Sequence, residues 1–546
     1  MESADQKRRR LFASSNVPAR VLAKLLQRLR REPNVGEALN ISAWKLNKAI
    51  SSLWAEVGQA ESLQLCKGGD FTWHFASLAK LLQHATQSSP FFRSAVLKVW
   101  QLGFGRPHAP ANLVIYADEA TPGNVLRLDN RRKVLAVYVT LREFGPDLVK
   151  HADMWLPIAI LRSSQIKDIL GGTSFCMRTL LRRIFITDKV TSEGVLLDLQ
   201  LPQSRFVRLH LVLGNFIGDG DAQRATWSAK GASGNLPCLR CKNVLSQHVP
   251  SPSPYLVHIS CPDADRFDFC TNEDIWAKAE ALRHQAGVAT RVDFEELQRA
   301  MGISFNPLGL LWDEELREHV KPVGCHTYDP MHALLSNGIC QNESGLLLVA
   351  CRDAGVPYSA FRDFAKADWK FCRAHGQASI LRGCFSEARE KAWKDGFVFR
   401  AGAAEMLIAF GVILHFVLTI VSPRGLLADE IASFCALGEV LHLLRCGKSG
   451  SDCSRELAEA IQRHAAAFLK AYPSAEVKPK HHYVHHVPSQ LARDGFVMDA
   501  FTGERKHQLI KTHAANIQNT ESYEKSVLLH VLAHQFATMS EVGFFC

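Results

Sequence analysis

The stretch Arg205–Asp221, RFVRLHLVLGNFIGDGD, decides the fold. Val207, Leu209, Leu211 and Leu213 alternate onto one face, the two-residue period of a strand with one buried side. The run ends directly in Gly218-Asp-Gly-Asp221, where glycines allow a tight turn and close approach of an ion or phosphate to the backbone. A carboxylate at a strand end can hold a metal; a simple loop turn accounts for the same letters. A calcium loop does not fit, because its closing glutamate position is Lys230. Upstream, Asn112–Asp118 (NLVIYAD) is a similar strand, ending at Asp118 ahead of the turn Thr121-Pro-Gly-Asn124. Lys133–Arg142, Trp155–Leu161 and Gly194–Leu199 read as further strands, and Ser164–Leu170 and Phe175–Ile184 as helices. Strands, then helices, then strands predict an α/β fold: a mixed sheet covered by helices.

Around this core the chain reads as helical. Residues 1–105 form a basic helical N-terminal domain, with Val17–Arg31, Ile41–Val57 and Phe75–Gln83 carrying helical periodicity, and DNA binding is one use for such a module. Residues 106–245 hold the first part of the sheet domain. Ser246–Pro254 is a proline-rich linker. The segment 246–478 is a large all-α insertion, and 479–546 returns to the core through the helices Ala500–Leu509 and Tyr523–Met539.

Composition sets the limits. The chain has 546 residues, 47% hydrophobic and 22% charged, which is ordinary globular composition with room for several domains. A net charge of +10 permits a polyanionic partner without demanding one. Fifteen cysteines, an odd number without dense spacing, point to reduced thiols and not to a disulfide framework. The first residues lead into Lys7-Arg-Arg-Arg10, so no signal peptide is expected. Met406–Val421 is apolar, but sixteen residues would reach only about 24 Å as a helix, so a buried helix and no membrane contact are expected.

One thiol pair stands out, Cys238-Leu-Arg-Cys241, together with the histidine cluster His481-His-Tyr-Val-His-His486. Thiolates at this spacing and a histidine pair with three or four residues between its members could close a tetrahedral zinc site. The histidine ligands would be His481 or His482 with His485 or His486, and spacing does not choose between them. A buried thiol pair is the bland reading. Glu504 follows, sharing a helix face with His507, Gln508 and Lys511; the bland reading there is a solvated charged helix. In Tyr328-Asp-Pro-Met-His332, Asp329 and His332 could share a face, and an Asp-Pro helix start explains them equally.

The order of these motifs resembles the cut-and-paste DNA transposases of the DDE class, closest to the CACTA-like and Plavaka-like group, with a related zinc arrangement in the antigen-receptor recombinase. The likeness rests on YADEATPGN, the Asp before C-x2-C, Asp-x2-His, and the late histidines followed by FTGERKH, and it covers about residues 110–540. It implies an RNase H-like fold interrupted by the helical insertion. It also implies an acidic triad of Asp118, Asp219 and Glu504, with Asp221 as the alternative second acid. Those acids would hold Mg2+ (or Mn2+), while Zn2+ sits on Cys238, Cys241 and two of the histidines. Arg505, Lys506 and Lys511 would hold DNA phosphates, and Asp329 and His332 match the family's insertion motif. The partners implied are transposon ends and target DNA, handled by a homo-oligomer in the nucleus. A relative that binds DNA without cutting it, and a zinc-stabilised helical interaction protein, are the competing expectations.

Overall fold

A computed structural model describes residues 43–122, 133–201, 205–246, 254–367, 383–515, 517 and 521–541. The helix expected over Val17–Arg31, much of the turn at Thr121–Asn124 and most of the linker Ser246–Pro254 lie outside the described residues. The chain divides into two compact units, one built from 1–228, 305–326 and 501–546, the other from 229–304 and 327–500. The inserted unit therefore begins and ends elsewhere than at 246 and 478, and the chain passes back through the first unit at 305–326.

The first unit carries the strands β1 (Gly58–Gln64), β2 (Asp70–Ala76), β3 (Ala111–Ala120), β4 (Val134–Leu141), β5 (Leu156–Arg162), β6 (Val195–Asp198), β7 (Phe206–Leu209) and β8 (Leu211–Gly218). Among the described residues the main sheet has seven strands, in the order β1, β2, β5, β4, β3, β8 and the short strand His326–Tyr328. β3, β4 and β5 run as an antiparallel meander, and β8 lies parallel to β3. Every residue of β4 is buried, as a central strand covered on both faces requires. The mixed α/β sheet is thus as the strand patterns indicate.

Two local expectations change. The described part of the N-terminal region is not all helical: after the helix Ala43–Val57 comes the hairpin β1–β2, and β2 joins the main sheet by pairing with β5. The signal is a two-residue aromatic period, Phe71, Trp73 and Phe75, with Trp73 and Phe75 fully buried beyond the turn glycines Gly68 and Gly69. Phe75 ends a strand, and the following helix starts only at Leu78, capped by Ser77. Second, the decisive run Arg205–Ile217 is two strands. The chain breaks at His210, whose backbone N–H bonds to Gly105 and whose ring bonds to the Thr191 carbonyl. β7 pairs with β6 in a small separate sheet, while β8 enters the main one.

The second unit is mostly helical. Helices Ile339–Asp353, Ala428–Lys448 and Ser454–Ala471 are tied by one buried charged group. Glu343, with no exposed surface, accepts from Ser433 at 2.7 Å and pairs with His464 at 2.7 Å. The apolar run expected over Met406–Val421 extends to Ala403–Arg424, 22 residues containing an 18-residue window of mean hydropathy 2.3, long and apolar enough to cross a membrane by those measures alone. One part of it is packed, with Phe410 stacking on Phe434 at 4.2 Å and Phe416 meeting Phe361 at 4.0 Å, while Leu407 and Leu418 are exposed.

Helices Phe501–Ala514 and Tyr523–Glu541 close the first unit and trap a histidine cluster. The ring of His513 lies 5.9 Å from that of His530 and 5.5 Å from that of His534. Burial pushes His513 down to about 3 and His530 down to about 4. Below the ordinary histidine value of 6.5 the unfolded chain takes up protons that the folded chain refuses, so stability falls as pH drops from there toward about 4. Thermal melting between about pH 7 and about pH 5 should therefore decline less steeply in His513→Phe than in the wild type. Equal slopes would remove this cluster as a source of acid sensitivity.

Candidate metal centres

The histidine cluster sits on a nearly continuous helical run, Pro479–Tyr483, Val484–His486 and Val487–Asp494. Spacing of four puts His482 and His486 on one face, and that face is the buried one. Facing them is the turn that carries Cys238 and Cys241. It is held open by the backbone N–H of Arg240 donating to Cys238 Sγ at 3.3 Å and by a bridge from Cys241 to Phe269. The two thiols and the two imidazoles, all buried, bring their ligand atoms within 4.8 Å of one another.

The spacings fit a zinc ion. Ordinary Zn–S and Zn–N bond lengths in a tetrahedron separate neighbouring ligands by about 3.3–3.8 Å. Here Cys238 Sγ lies 3.2 Å from His486 Nε2, Cys241 Sγ 3.6 Å from the same atom, and the two Nε2 atoms 3.2 Å apart. The electrostatics treat the two thiols differently: the hydrogen bond with Cys238 and burial push the Cys241 thiol well above its usual range. Against the pull of burial, the hydrogen bond from Cys241 and the nearby His486 and His482 hold the Cys238 thiol well below its usual range. Burial pushes His486 down to about 4, which keeps it neutral and able to ligate. This Cys2His2 cluster could hold zinc.

Of the four histidines, His482 and His486 are the two that meet the thiols. His481 turns its Nδ1 to the backbone of Lys478 and its ring to Phe468, and His485 lies edge-on to Phe267. The cluster belongs wholly to the second unit and not to the returning part of the core. Its surroundings also absorb the insertion motif. Tyr328 stacks on Tyr483 at 4.4 Å and on His486 at 5.2 Å, and its hydroxyl lies 3.1 Å from Cys238 Sγ. The side-chain amide of Gln490 accepts from the Tyr328 N–H and donates to its carbonyl. Next in sequence, Asp329 pairs with His332 at 2.6 Å and accepts from the backbone of Met331, His332 and Ala500. Asp329 and His332 thus pin the chain's exit from this unit.

The second cluster lies in the first unit: Asp118, Glu504 and His507, with ligand atoms within 4.8 Å of one another. Asp118, on β3, is 4% exposed and accepts from the Tyr116 hydroxyl at 2.6 Å. Glu504 and His507 lie three apart on the helix Phe501–Ala514, on the face toward β3. Gly503 makes that approach possible, since a Cβ there would fall 2.0 Å from Tyr116 Cε1. His507 Nδ1 is 3.0 Å from the Tyr138 hydroxyl, and its ring packs against Tyr116 and Tyr138. Burial, reinforced by the carboxylates of Asp118 and Glu504, pushes Tyr138 well above the usual phenol value.

The remaining expected residues fall as follows. Gly218 pairs with Ala117, so Asp219, just past the end of β8, stands level with Asp118, which lies inside β3 and not at its end. Asp219 lies outside the tight cluster and caps the helix Gly220–Trp227 by accepting from the Ala222 N–H at 2.6 Å. Asp221, the alternative, is exposed and pairs with Arg224 at 3.0 Å. Arg505 is exposed and donates to the Lys150 carbonyl. Lys506 departs from the phosphate-holding expectation: it is 3% exposed, donates to the Ala152 carbonyl, and burial pushes it down to about 7. Lys511 is half-buried. The sequence reading missed His507, Tyr138 and Gly503 as site residues, although Gly-Glu-x-x-His placed two of them at helical spacing.

No protein-family model matches this chain, and no curated protein matches it either.

Two outcomes follow. The purified chain should carry one zinc by elemental analysis, lost in Cys238→Ser and His482→Ala and retained in His481→Ala and His485→Ala. A chain that folds without zinc would overturn the assignment. Gly503→Ala should lower stability by about 1–3 kcal/mol in denaturant unfolding, with the loss reduced in a Tyr116→Ala background. Equal losses in both backgrounds would show that the contact with Tyr116 is not the cause.

Proposed function

We propose that this chain is a DNA-cutting and DNA-joining enzyme of the DDE transposase class, with an RNase H-like core and a zinc-clamped helical insertion. The observation that carries the reading is the meeting of Asp118 and Glu504, from opposite ends of the sheet unit, on the central strand β3. Support comes also from the strand order. An antiparallel meander bears the first acid on its first strand, the parallel neighbour ends at a second Asp, and the last acid comes on a helix after the inserted unit.

Bound divalent ions would activate water or a DNA 3′-hydroxyl for in-line attack on a phosphodiester and neutralise the leaving oxygen. In that scheme Asp118 and Glu504 supply hard oxygen ligands, and Asp219 stands level with Asp118 to complete the acidic set. Tyr116 orients the Asp118 carboxylate by donating to one oxygen, while the Glu119 N–H donates to the other. Arg505 and Lys511, on the same helix as Glu504, are the cations available to DNA phosphates. The same reading assigns transposon ends and target DNA as substrates, a homo-oligomer as the working form and the nucleus as its location.

One observation favours a second reading, a relative that binds DNA without cutting it: the Asp219 carboxylate is engaged in capping its own helix. Incubation of the chain with supercoiled DNA and Mg2+ or Mn2+ separates the two. Strand cleavage is expected in the wild type, abolished in Asp118→Asn, Asp219→Asn and Glu504→Gln. Salt-dependent binding with no cleavage would favour the second reading. Cleavage that survives all three substitutions would sink the site assignment.

A further inference from the structure

We propose that His507 is the third ligand of the ion held by Asp118 and Glu504, so that this site takes a first-row transition ion, with Mn2+ as the probe, in preference to Mg2+. The proposal deepens the phosphoryl-transfer reading of the same site and rests on it for its biological use, though not for its chemistry.

The geometry points to ligation. Ligand atoms of Asp118, Glu504 and His507 lie within 4.8 Å of one another, and Glu504, the least buried of the three, has room to adjust onto an ion. His507 is 1% exposed. Its Nδ1 is engaged by the Tyr138 hydroxyl at 3.0 Å, so Nε2 is the nitrogen that would ligate, with Nδ1–H donating to the Tyr138 oxygen. This is how proteins orient ligating histidines: the second ring nitrogen is fixed by a neighbouring oxygen. The ring lies 5.9 Å from that of Tyr116 and 5.6 Å from that of Tyr138, two aromatic neighbours that confine its orientation. Tyr138 is buried beside two carboxylates and remains a neutral partner.

The donor set decides the metal. Mg2+ demands near-octahedral oxygen ligation and dehydrates reluctantly, whereas imidazole nitrogen suits first-row transition ions. Two carboxylates would also balance a divalent charge, with the imidazole as a third donor. Asp219 lies outside this group of ligand atoms, with one of its oxygens accepting from the Ala222 N–H, and the donor that stands beside Asp118 and Glu504 is the imidazole of His507. A nitrogen donor there shifts preference away from Mg2+.

The test uses the full chain with its Cys2His2 cluster loaded with zinc. Electron paramagnetic resonance of added Mn2+ should show a bound ion, and pulsed measurements on the wild type should show a directly coordinated imidazole nitrogen. Mg2+ should displace that ion only in about tenfold or greater excess. His507→Gln should weaken Mn2+ binding by about tenfold or more while leaving Mg2+ binding little changed, and Asp118→Asn should lose both. Bound Mn2+ without nitrogen coupling, or equal Mn2+ affinity in His507→Gln and wild type, would overturn the proposal and leave the Asp118–Glu504 reading standing. Nitrogen-coordinated Mn2+ in a chain that never cuts DNA would uphold the proposal and overturn the functional reading. The pulsed measurement needs no variant, so a misfolded substitution does not block the outcome.

Discussion

The first unit depends on how closely one helix can lie on one strand. The helix Phe501–Ala514 meets β3 where Gly503 faces the ring of Tyr116, a spacing that no side chain at 503 fits without displacement. Everything in the acidic cluster follows from that approach. Glu504 reaches Asp118 because the residue before it has no side chain, and His507 comes in one turn later on the same face. Tyr116 serves twice, packing against the helix and donating to Asp118. The contact places carboxylates, an imidazole and two phenols within a few ångströms, at some cost in desolvation. That cost is met by hydrogen bonds among the members, and by ring packing of about 0.5–1.5 kcal/mol per aromatic pair.

The second unit depends on a different device. Its entry segment around Cys238 and its exit segment around His486 are far apart in sequence, and they meet in an apolar cluster that includes Val244, Val257, Ile259, Phe267 and Tyr328. A metal held by these four ligands would close such a loop strongly. On the chain-entropy account, such a cross-link from Cys241 to His482 would be worth on the order of 5 kcal/mol. Asp329 adds a second closure through Ala500, and Gln490 a third through the backbone of Tyr328. The cluster has four protein ligands and full burial, the properties of a structural site and not of one that admits substrate.

Much of this was legible in the residues. Alternating apolar runs announced β3, β4, β5 and β8, and the thiol and histidine spacings announced the buried cluster. What stayed hidden was set by partners distant in sequence. The hairpin β1–β2 was obscured because Phe75 also fits the helical pattern that follows it, and only pairing with β5 commits it to the sheet. The placing of His482 and His486, and not His481 and His485, beside the thiols was invisible because both pairs have the same spacing; only the fold brings the Nε2 atoms of one pair to Cys238 and Cys241. Lys506 looked like a phosphate contact because neighbouring cations along a helix face different ways, and one helical step turns it inward.

The two clusters differ in ways that would keep two kinds of ion apart. The Cys2His2 cluster is soft, closed and fully buried, and thiolate ligands favour zinc over harder ions. The Asp118–Glu504–His507 cluster has no sulfur, and one of its ligands reaches solvent, so it retains room for water or a phosphate oxygen. A chain that used one metal for both tasks would need one donor set to be rigid and also open. Separate donor sets avoid that conflict. The imidazole of His507 narrows the difference, since nitrogen also attracts zinc, and selectivity then rests on the two carboxylates and on the coordination positions left open beside Glu504.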